Sequence, residues 1–192
     1  MDVGLALLAS VILLPFIAAI ALILLVMQGR PVLFMQQRIG LHTKPFRLYK
    51  FRTMQSGGAG SQDSFQINAP DRRTRIGRML RAAKLDELPQ LWNVIAGDMS
   101  LVGPRPEVAD WVDSSCSTWN EVLSVRPGLT DYASIQYINE EALLRASEDP
   151  EREYRDVVLP AKLRMAEKYV GEMSLGVDLA ILLRTARRIV IR

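Results

Sequence analysis

Asp86 and Glu87 stand side by side in Leu85-Asp86-Glu87-Leu88-Pro89-Gln90-Leu91-Trp92-Asn93, directly after a strongly basic stretch. From Arg30 to Lys84 there are twelve Lys and Arg residues against only Asp63 and Asp71. The first acids beyond that surplus face an environment suited to an anionic substrate. Arg81 lies about one helical turn upstream of the pair. Downstream, in Gly103-Pro104-Arg105-Pro106-Glu107, two prolines fix φ on either side of Arg105. Such a set can hold a phosphate beside a nucleophilic carboxylate, with Mg²⁺ bridging carboxylate and phosphate oxygens. Adjacent carboxylates at a helix start also have a plain structural use: Asp caps the helix and Glu complements its dipole. The two uses are compatible, because a helix N-terminus that orders a carboxylate also favours a phosphate beside it.

The elements that must position these residues are bounded by composition. A chain of 192 residues is long enough for one domain with a core and an appendage. The net charge of +3 conceals an asymmetry: most acids fall between Asp86 and Asp178, while basic residues crowd residues 30–84 and return as Arg184, Arg187, Arg188 and Arg192. That pattern points to phosphates or anionic lipid. The single Cys116 excludes an internal disulfide framework and a Cys-rich metal site, and the single His42, in a Gly/Pro-flanked turn, excludes His-pair metal sites. There is no internal repeat, P-loop or Gly-rich dinucleotide fingerprint.

Residues 3–27 carry no charge, and as one helix they reach roughly 37 Å, enough for a hydrocarbon core of about 30 Å. The stretch is too long for a cleaved signal peptide and lacks a basic start, so it is expected to remain as an anchor. Pro15 near its centre removes a helical hydrogen bond and favours a kink. A sharp bend gives a re-entrant hairpin with both ends on one face; a mild kink gives a spanning helix. The basic run from Arg30 to Arg52 places the following domain on the cytoplasmic side in either case.

Beyond the anchor, Val32 to Gln37 and Phe46 to Phe51 read as a β-hairpin, and Thr53 to Pro70 as a loop. Arg73 to Ala82 and Asp86 to Ile95 read as helices, with Asp86 as N-cap of the second, Pro89 in its first turn and Gly97-Asp98 at its end. Arg126-Pro127-Gly128 reads as a turn. Tyr154, Val158, Ala161, Met165 and Tyr169 predict an amphipathic helix within residues 150–170, with a break or start near Pro160. Residues 177–192 set Leu179, Leu182, Leu183, Ala186 and Val190 against four arginines, a pattern that fits either a membrane interface or docking on the protein's own core. The fold class expected is α+β and predominantly helical: an anchor over residues 1–29, a small β-hairpin, and a compact domain over residues 30–192 with interfacial amphipathic helices.

The chain resembles the small monotopic phosphoglycosyl transferases, or bacterial sugar transferases. The resemblance rests on the N-terminal apolar segment, Gln36-Gln37-Arg38-Ile39-Gly40, Tyr49-Lys50-Phe51-Arg52-Thr53-Met54, Arg75-Ile76-Gly77-Arg78, Lys84-Leu85-Asp86-Glu87-Leu88-Pro89-Gln90-Leu91-Trp92-Asn93-Val94 and Gly97-Asp98-Met99-Ser100-Leu101-Val102-Gly103-Pro104-Arg105-Pro106-Glu107. It implies transfer of a phospho-sugar from a UDP-sugar to polyprenol (undecaprenyl) phosphate with release of UMP and a requirement for Mg²⁺, the first membrane step of bacterial glycoconjugate assembly. No nucleic-acid partner is implied. By the same resemblance Asp86 is the nucleophile and a metal ligand, Glu87 assists metal placement or deprotonation of the lipid phosphate, and Arg81, Arg105 and Lys50 contact substrate phosphates. Relatives use a re-entrant helix broken at Ser-Pro, which favours that form here with Pro15 as the break, at the cytoplasmic face of the inner membrane. This chain has Leu14-Pro15 in place of Ser-Pro. A second departure, Asp131 to Glu140 in place of a Gly-x-Ala-Gln-Val run and Gly-Arg-Asn turn, falls where a sugar pocket is expected; an N-acetylated amino sugar is the expected donor. A non-catalytic membrane-surface module using the basic patches is the alternative from a different class.

Overall fold

A computed structural model describes residues 2–55 and 72–190. Most of the expected loop between Thr53 and Pro70 lies outside the described residues. Contacts divide the chain into two compact units, one built from residues 2–37, 46–55 and 72–98, the other from residues 38–45 and 99–190. Helix dominates both, as expected.

In the first unit, α1 (Asp2–Gln28) runs as one helix with Pro15 inside it. It is the one helix among the described residues that is long and apolar enough to cross a membrane, with a mean hydropathy of 3.0. Leu8, Val11, Ile12, Leu14 and Phe16 are exposed, whereas Leu24 is buried with Phe51 and Leu80, and Ile17, Ile20 and Ala21 pack against that cluster. The helix closes at Gly29, whose φ of 68° is the left-handed conformation that a side chain disfavours. The Arg52 guanidinium then donates to the carbonyl oxygens of Gln28, Gly29 (2.9 Å) and Arg30 (3.2 Å), so a cation sits on the negative end of the helix dipole.

β1 (Leu33–Ile39) and β2 (Pro45–Phe51) form the expected hairpin, since a connection of five residues is too short for a parallel crossover. α2 (Arg75–Ala82) starts at Thr74, whose Oγ1 accepts from the Gly77 amide at 2.9 Å. The next element corrects the expected position of Asp86. Lys84 turns the chain with φ 56° and ψ 17°, a 3-10 helix covers Leu85–Gln90, and only then does α3 (Leu91–Ala96) begin. Asp86 is therefore the second residue inside a 3-10 helix and not an N-cap. Because winding starts at Leu85, Pro89 occupies the fifth position, where an α-helix would drive its ring into the Leu85 carbonyl; the tighter 3-10 winding avoids that clash. α3 ends in a Schellman motif: Gly97 (φ 86°) donates to Val94 O at 3.1 Å and Asp98 to Asn93 O at 3.0 Å.

In the second unit, β3 (Ser100–Val102) pairs in parallel with β4 (Gly128–Thr130), in the register Ser100 to Gly128 and Val102 to Thr130. Arg126 and Pro127 thus lead straight into a strand, where a turn was expected. Between the strands lie α4 (Ser117–Val122) and the Pro104-Arg105-Pro106 loop. α5 (Tyr132–Gln136) is capped by Asp131, whose Oδ1 accepts from the Ser134 amide at 2.6 Å, and α6 (Glu140–Ala146) comes after it.

α7 (Pro150–Glu153), capped by Asp149, passes through a π-turn over Tyr154–Val158 into α8 (Leu159–Glu172), so the amphipathic stretch is present and continues through Pro160. The π-turn inserts one residue and rotates the downstream helix by about 100°. Tyr154, Val158 and Tyr169 are buried as expected, whereas Lys162 and Ala166 are buried in place of the expected Ala161 and Met165. Tyr154, Val158, Leu159 and Ala166 join Trp119, Val122, Leu123 and Leu144 in the main core of this unit. α9 (Leu175–Val190) docks Ile181 onto Val102 and Tyr169, while Leu175, Leu179 and Leu183 remain exposed, as do Arg184, Arg187 and Arg188. One face is therefore docked and another left uncovered.

Candidate active site

The hairpin, α2, and the 3-10 helix leading into α3 bring four of the expected residues into one unit: Lys50, Arg81, Asp86 and Glu87. Lys50, from β2, donates to Glu87 Oε1 at 2.8 Å, with both side chains largely buried. Arg81, in the last turn of α2, donates from Nε to Thr53 Oγ1 at 3.0 Å. Asp86 is only 5 % exposed, and its Oδ1 is buried without a hydrogen-bond partner among the described residues.

Burial pushes the Asp86 carboxyl above the usual aspartate range, the Lys50 cation opposes this, the neighbouring Glu87 adds to the rise, and Arg81 and Lys84 oppose it. An aspartate that is buried, with one oxygen unpartnered among the described residues and with Lys50, Arg81 and Lys84 opposing the rise, has properties that suit a nucleophile toward an anionic electrophile.

Two backbone-level devices hold this arrangement. Gly77 lets α2 lie against the strand exit, since a Cβ there would fall 2.0 Å from the Thr53 carbonyl oxygen. Thr53 itself accepts the Thr74 amide at 3.1 Å, so the residue that steers Arg81 is fixed at the start of the same helix. Asn93, fully buried in α3, acts like a strand neighbour: its Nδ2 donates to Arg47 O at 2.7 Å and its Oδ1 accepts from the Tyr49 amide at 3.2 Å. It ties the helix after Asp86 and Glu87 to the strand that carries Lys50. Sequence reasoning missed Asn93 as a positioning residue; a buried amide in a helix interior has no periodic signature, and its place inside the Lys84 to Val94 motif was the one signal.

Arg105 belongs to the second unit. Its loop is held at one end by Gly103, which donates to Thr130 O at 3.1 Å, and by Pro104 O, which accepts from Gly128 at 2.9 Å. At the other end the Glu107 carboxylate is buried and receives hydrogen bonds from Tyr154 Oη and Lys162 Nζ, both at 2.8 Å. Burial pushes Glu107 up, but Lys162 and Arg38 outweigh it and hold the carboxyl below its usual range. Lys162 is raised despite its burial, by Glu107 first, and remains charged.

This chain joins a long apolar helix to a buried aspartate among cations, and comparison with known proteins places it in a family. Residues 1–192 match the family described as bacterial sugar transferase, and the chain belongs to that family. It is 38 % identical over 165 residues to the uncharacterized sugar transferase EpsL of Bacillus subtilis, covering 85 % of this chain and 72 % of that protein. It is 36 % identical over 188 residues to a UDP-glucose:undecaprenyl-phosphate glucose-1-phosphate transferase of Caulobacter vibrioides, covering 96 % of this chain and 66 % of the relative. A UDP-N-acetylgalactosamine-undecaprenyl-phosphate N-acetylgalactosaminephosphotransferase of Aeromonas hydrophila is 33 % identical over 192 residues, of which this chain spans 42 % of the length.

Proposed function

We propose that the chain is a phosphoglycosyl transferase that moves a phospho-sugar from a UDP-sugar to undecaprenyl phosphate. The observation that carries this reading is Asp86, buried, with one oxygen unpartnered among the described residues and with Lys50 and Arg81 in the same unit. The Asp86 carboxylate oxygen attacks the β-phosphorus of the UDP-sugar; the bond from that phosphorus to the bridging oxygen breaks and UMP leaves with the electron pair. The lipid phosphate oxygen then attacks the aspartyl phosphorus, which forms polyprenyl-diphospho-sugar and restores the carboxylate. Splitting one displacement between two anions into two steps is what a carboxylate nucleophile offers. Glu87, ion-paired to Lys50, is assigned to the proton of the lipid phosphate, and Lys50, Arg81 and Arg105 to the phosphate charge.

The donor set also fits Mg²⁺. Among the described residues no three or more His, Cys, Asp or Glu side chains gather as a metal cluster. Mg²⁺ commonly takes one or two carboxylates and completes its shell with substrate phosphates and water; the orphaned Asp86 Oδ1 suits that role, with Glu87 beside it in sequence. When bound, the ion would offset charge on the phosphate oxygens.

The long apolar α1 supports a membrane anchor over residues 1–29; the family resemblance of the sequence, and not the helix, which continues through Pro15, is what supports a re-entrant form and the cytoplasmic face of a bacterial inner membrane for residues 30–192. The exposed Leu175, Leu179 and Leu183 beside Arg184, Arg187 and Arg188 suit the interfacial role for α9. Named relatives act on glucose or N-acetylgalactosamine donors; an N-acetylated amino sugar is the donor proposed for this chain.

Intact-mass measurement after mixing with a UDP-sugar panel tests the chemistry. A phospho-sugar adduct should form and be lost in Asp86→Asn; wild-type turnover by Asp86→Asn would remove Asp86 from the role. Labelling of a cysteine placed at position 2 in intact cells tests the anchor, since access from outside the inner membrane is incompatible with the hairpin.

A further inference from the structure

The Pro104-Arg105-Pro106 loop contains no regular element, yet it is held at both ends, and its C-terminal hold is made of charge. Glu107 is 7 % exposed and Lys162 likewise 7 %. Glu107 Oε1 receives Lys162 Nζ and Tyr154 Oη, each at 2.8 Å; Lys162 Nζ also lies 3.1 Å from Tyr154 Oη, 3.2 Å from Glu140 Oε2 and 5.0 Å from the Tyr154 ring centroid. Arg38 places NH1 3.5 Å from Glu107 Oε2 and donates to the Pro106 carbonyl at 3.2 Å, and the Ile39 amide donates to the Glu107 carbonyl at 2.9 Å.

A buried ion pair contributes little net stability compared with apolar residues of the same volume, because desolvation offsets most of its Coulomb attraction. What such a pair supplies is direction: the carboxylate has one arrangement that satisfies all its donors. The clamp also coincides with a π-turn, an element frequent at functional sites. Both Tyr154, the first residue of the π-turn, and Lys162, just beyond it, converge on the residue two positions after Arg105.

We infer that Lys162 and Tyr154 are positioning residues that act through Glu107 to fix the loop on which Arg105 meets substrate phosphate. The inference rests on the proposed phosphotransfer for what Arg105 does, while the clamp itself stands on the geometry. It assigns a role in the reaction to residues of α8 and the π-turn that touch no substrate.

Two measurements on the full-length protein in detergent or nanodiscs test it. Hydrogen exchange over residues 103–108 should rise in Tyr154→Phe, which keeps the ion pair and the ring, and rise further in Lys162→Met; unchanged exchange in both variants overturns the clamp whatever the chemistry turns out to be. In the second, kcat for UMP release should fall about tenfold in Tyr154→Phe at near-constant KM, and the same substitution placed in Arg105→Ala should change kcat less than about twofold, since residues that act through one group are not additive. Equal losses in both backgrounds would mean a merely structural role and overturn the inference. Wild-type turnover by Arg105→Ala, with the Asp86 adduct still formed, would remove Arg105 from the site and take the inference with it, while the phosphotransfer reading would stand. Should Lys162→Met fail to fold, Tyr154→Phe decides both measurements.

Discussion

Lys50 Nζ and Glu87 Oε1 lie 2.8 Å apart, and the same lysine is the strongest cationic influence on Asp86. One cation therefore orients one carboxylate and moderates the charge of the next. Lys50→Met removes the largest opposition to burial, so the Asp86 carboxyl rises further. As the proposed nucleophile must be deprotonated, the acid limb of the kcat/KM profile should move to higher pH, and kcat at neutral pH should fall about 10–100-fold. A pH profile of UMP release with an unmoved acid limb would place Lys50 outside the site.

Asp86→Asn should abolish turnover and stabilise the fold. The folded Asp86 carboxyl lies above its unfolded value of 3.8, so its charged form burdens the folded state at neutral pH. That burden is present above the folded-state pKa and is relieved as pH falls through it toward the unfolded value. Melting temperature should therefore rise by about 2–4 °C at neutral pH and converge with wild type on acidification. Thermal melts across roughly pH 4–8 would check both the sign and the convergence.

Gly77→Ala places a methyl group 2.0 Å from a backbone oxygen, where no side-chain rotation can relieve it. A destabilisation of about 1–3 kcal/mol is expected, with a larger proportional loss of kcat because Thr53, which the new Cβ would strike, is the partner of Arg81. Denaturant titration beside UMP release separates the two effects.

Arg52→Ala should loosen the end of the anchor helix, and Arg52→Lys should restore it only in part. A planar fork reaches the Gln28, Gly29 and Arg30 carbonyls at once, whereas an ammonium on a flexible stem cannot match that spread. Faster proteolysis or hydrogen exchange over residues 28–32, without a change in global melting, is the expected result.

The elements carried by local periodicity were legible: the apolar helix, the hairpin, α2, and the stop at Gly97, whose left-handed conformation is a backbone requirement written in one letter. The elements that depend on distant partners were not. The β3 and β4 strands have three residues each and pair across a separation that periodicity does not sense. Asp86 read as a cap because acid before an apolar run is the common cap signature; only the left-handed Lys84, one residue before the 3-10 helix, shows that winding begins earlier. Of the stripe expected within residues 150–170, Tyr154, Val158 and Tyr169 are buried, whereas Lys162 and Ala166 are buried where Ala161 and Met165 were expected; a lysine carries no apolar signature, and that hid Lys162. The carboxylate pair and Arg81 drew notice by type and position and Lys50 through the family resemblance, whereas Asn93 and Thr53, which bond to the strand and helix that carry them, have no chemistry to attract notice.

The parallel pairing of β3 with β4 also sets an order of events. Ser100 meets Gly128 only after the intervening segment has closed into a loop, and Glu107 meets its donors only once Tyr154 and Lys162 exist. Lys50, Arg81, Asp86 and Glu87 need nothing beyond Asp98 for their shared unit. On the ribosome, Asp86 and the cations of its unit can therefore assemble while the chain behind them is still being made, and the Arg105 loop should order later, since contacts of long sequence separation form late. A chain stalled between residues 130 and 150 would carry Lys50, Arg81, Asp86 and Glu87 already gathered, with the clamp on the Arg105 loop still unmade.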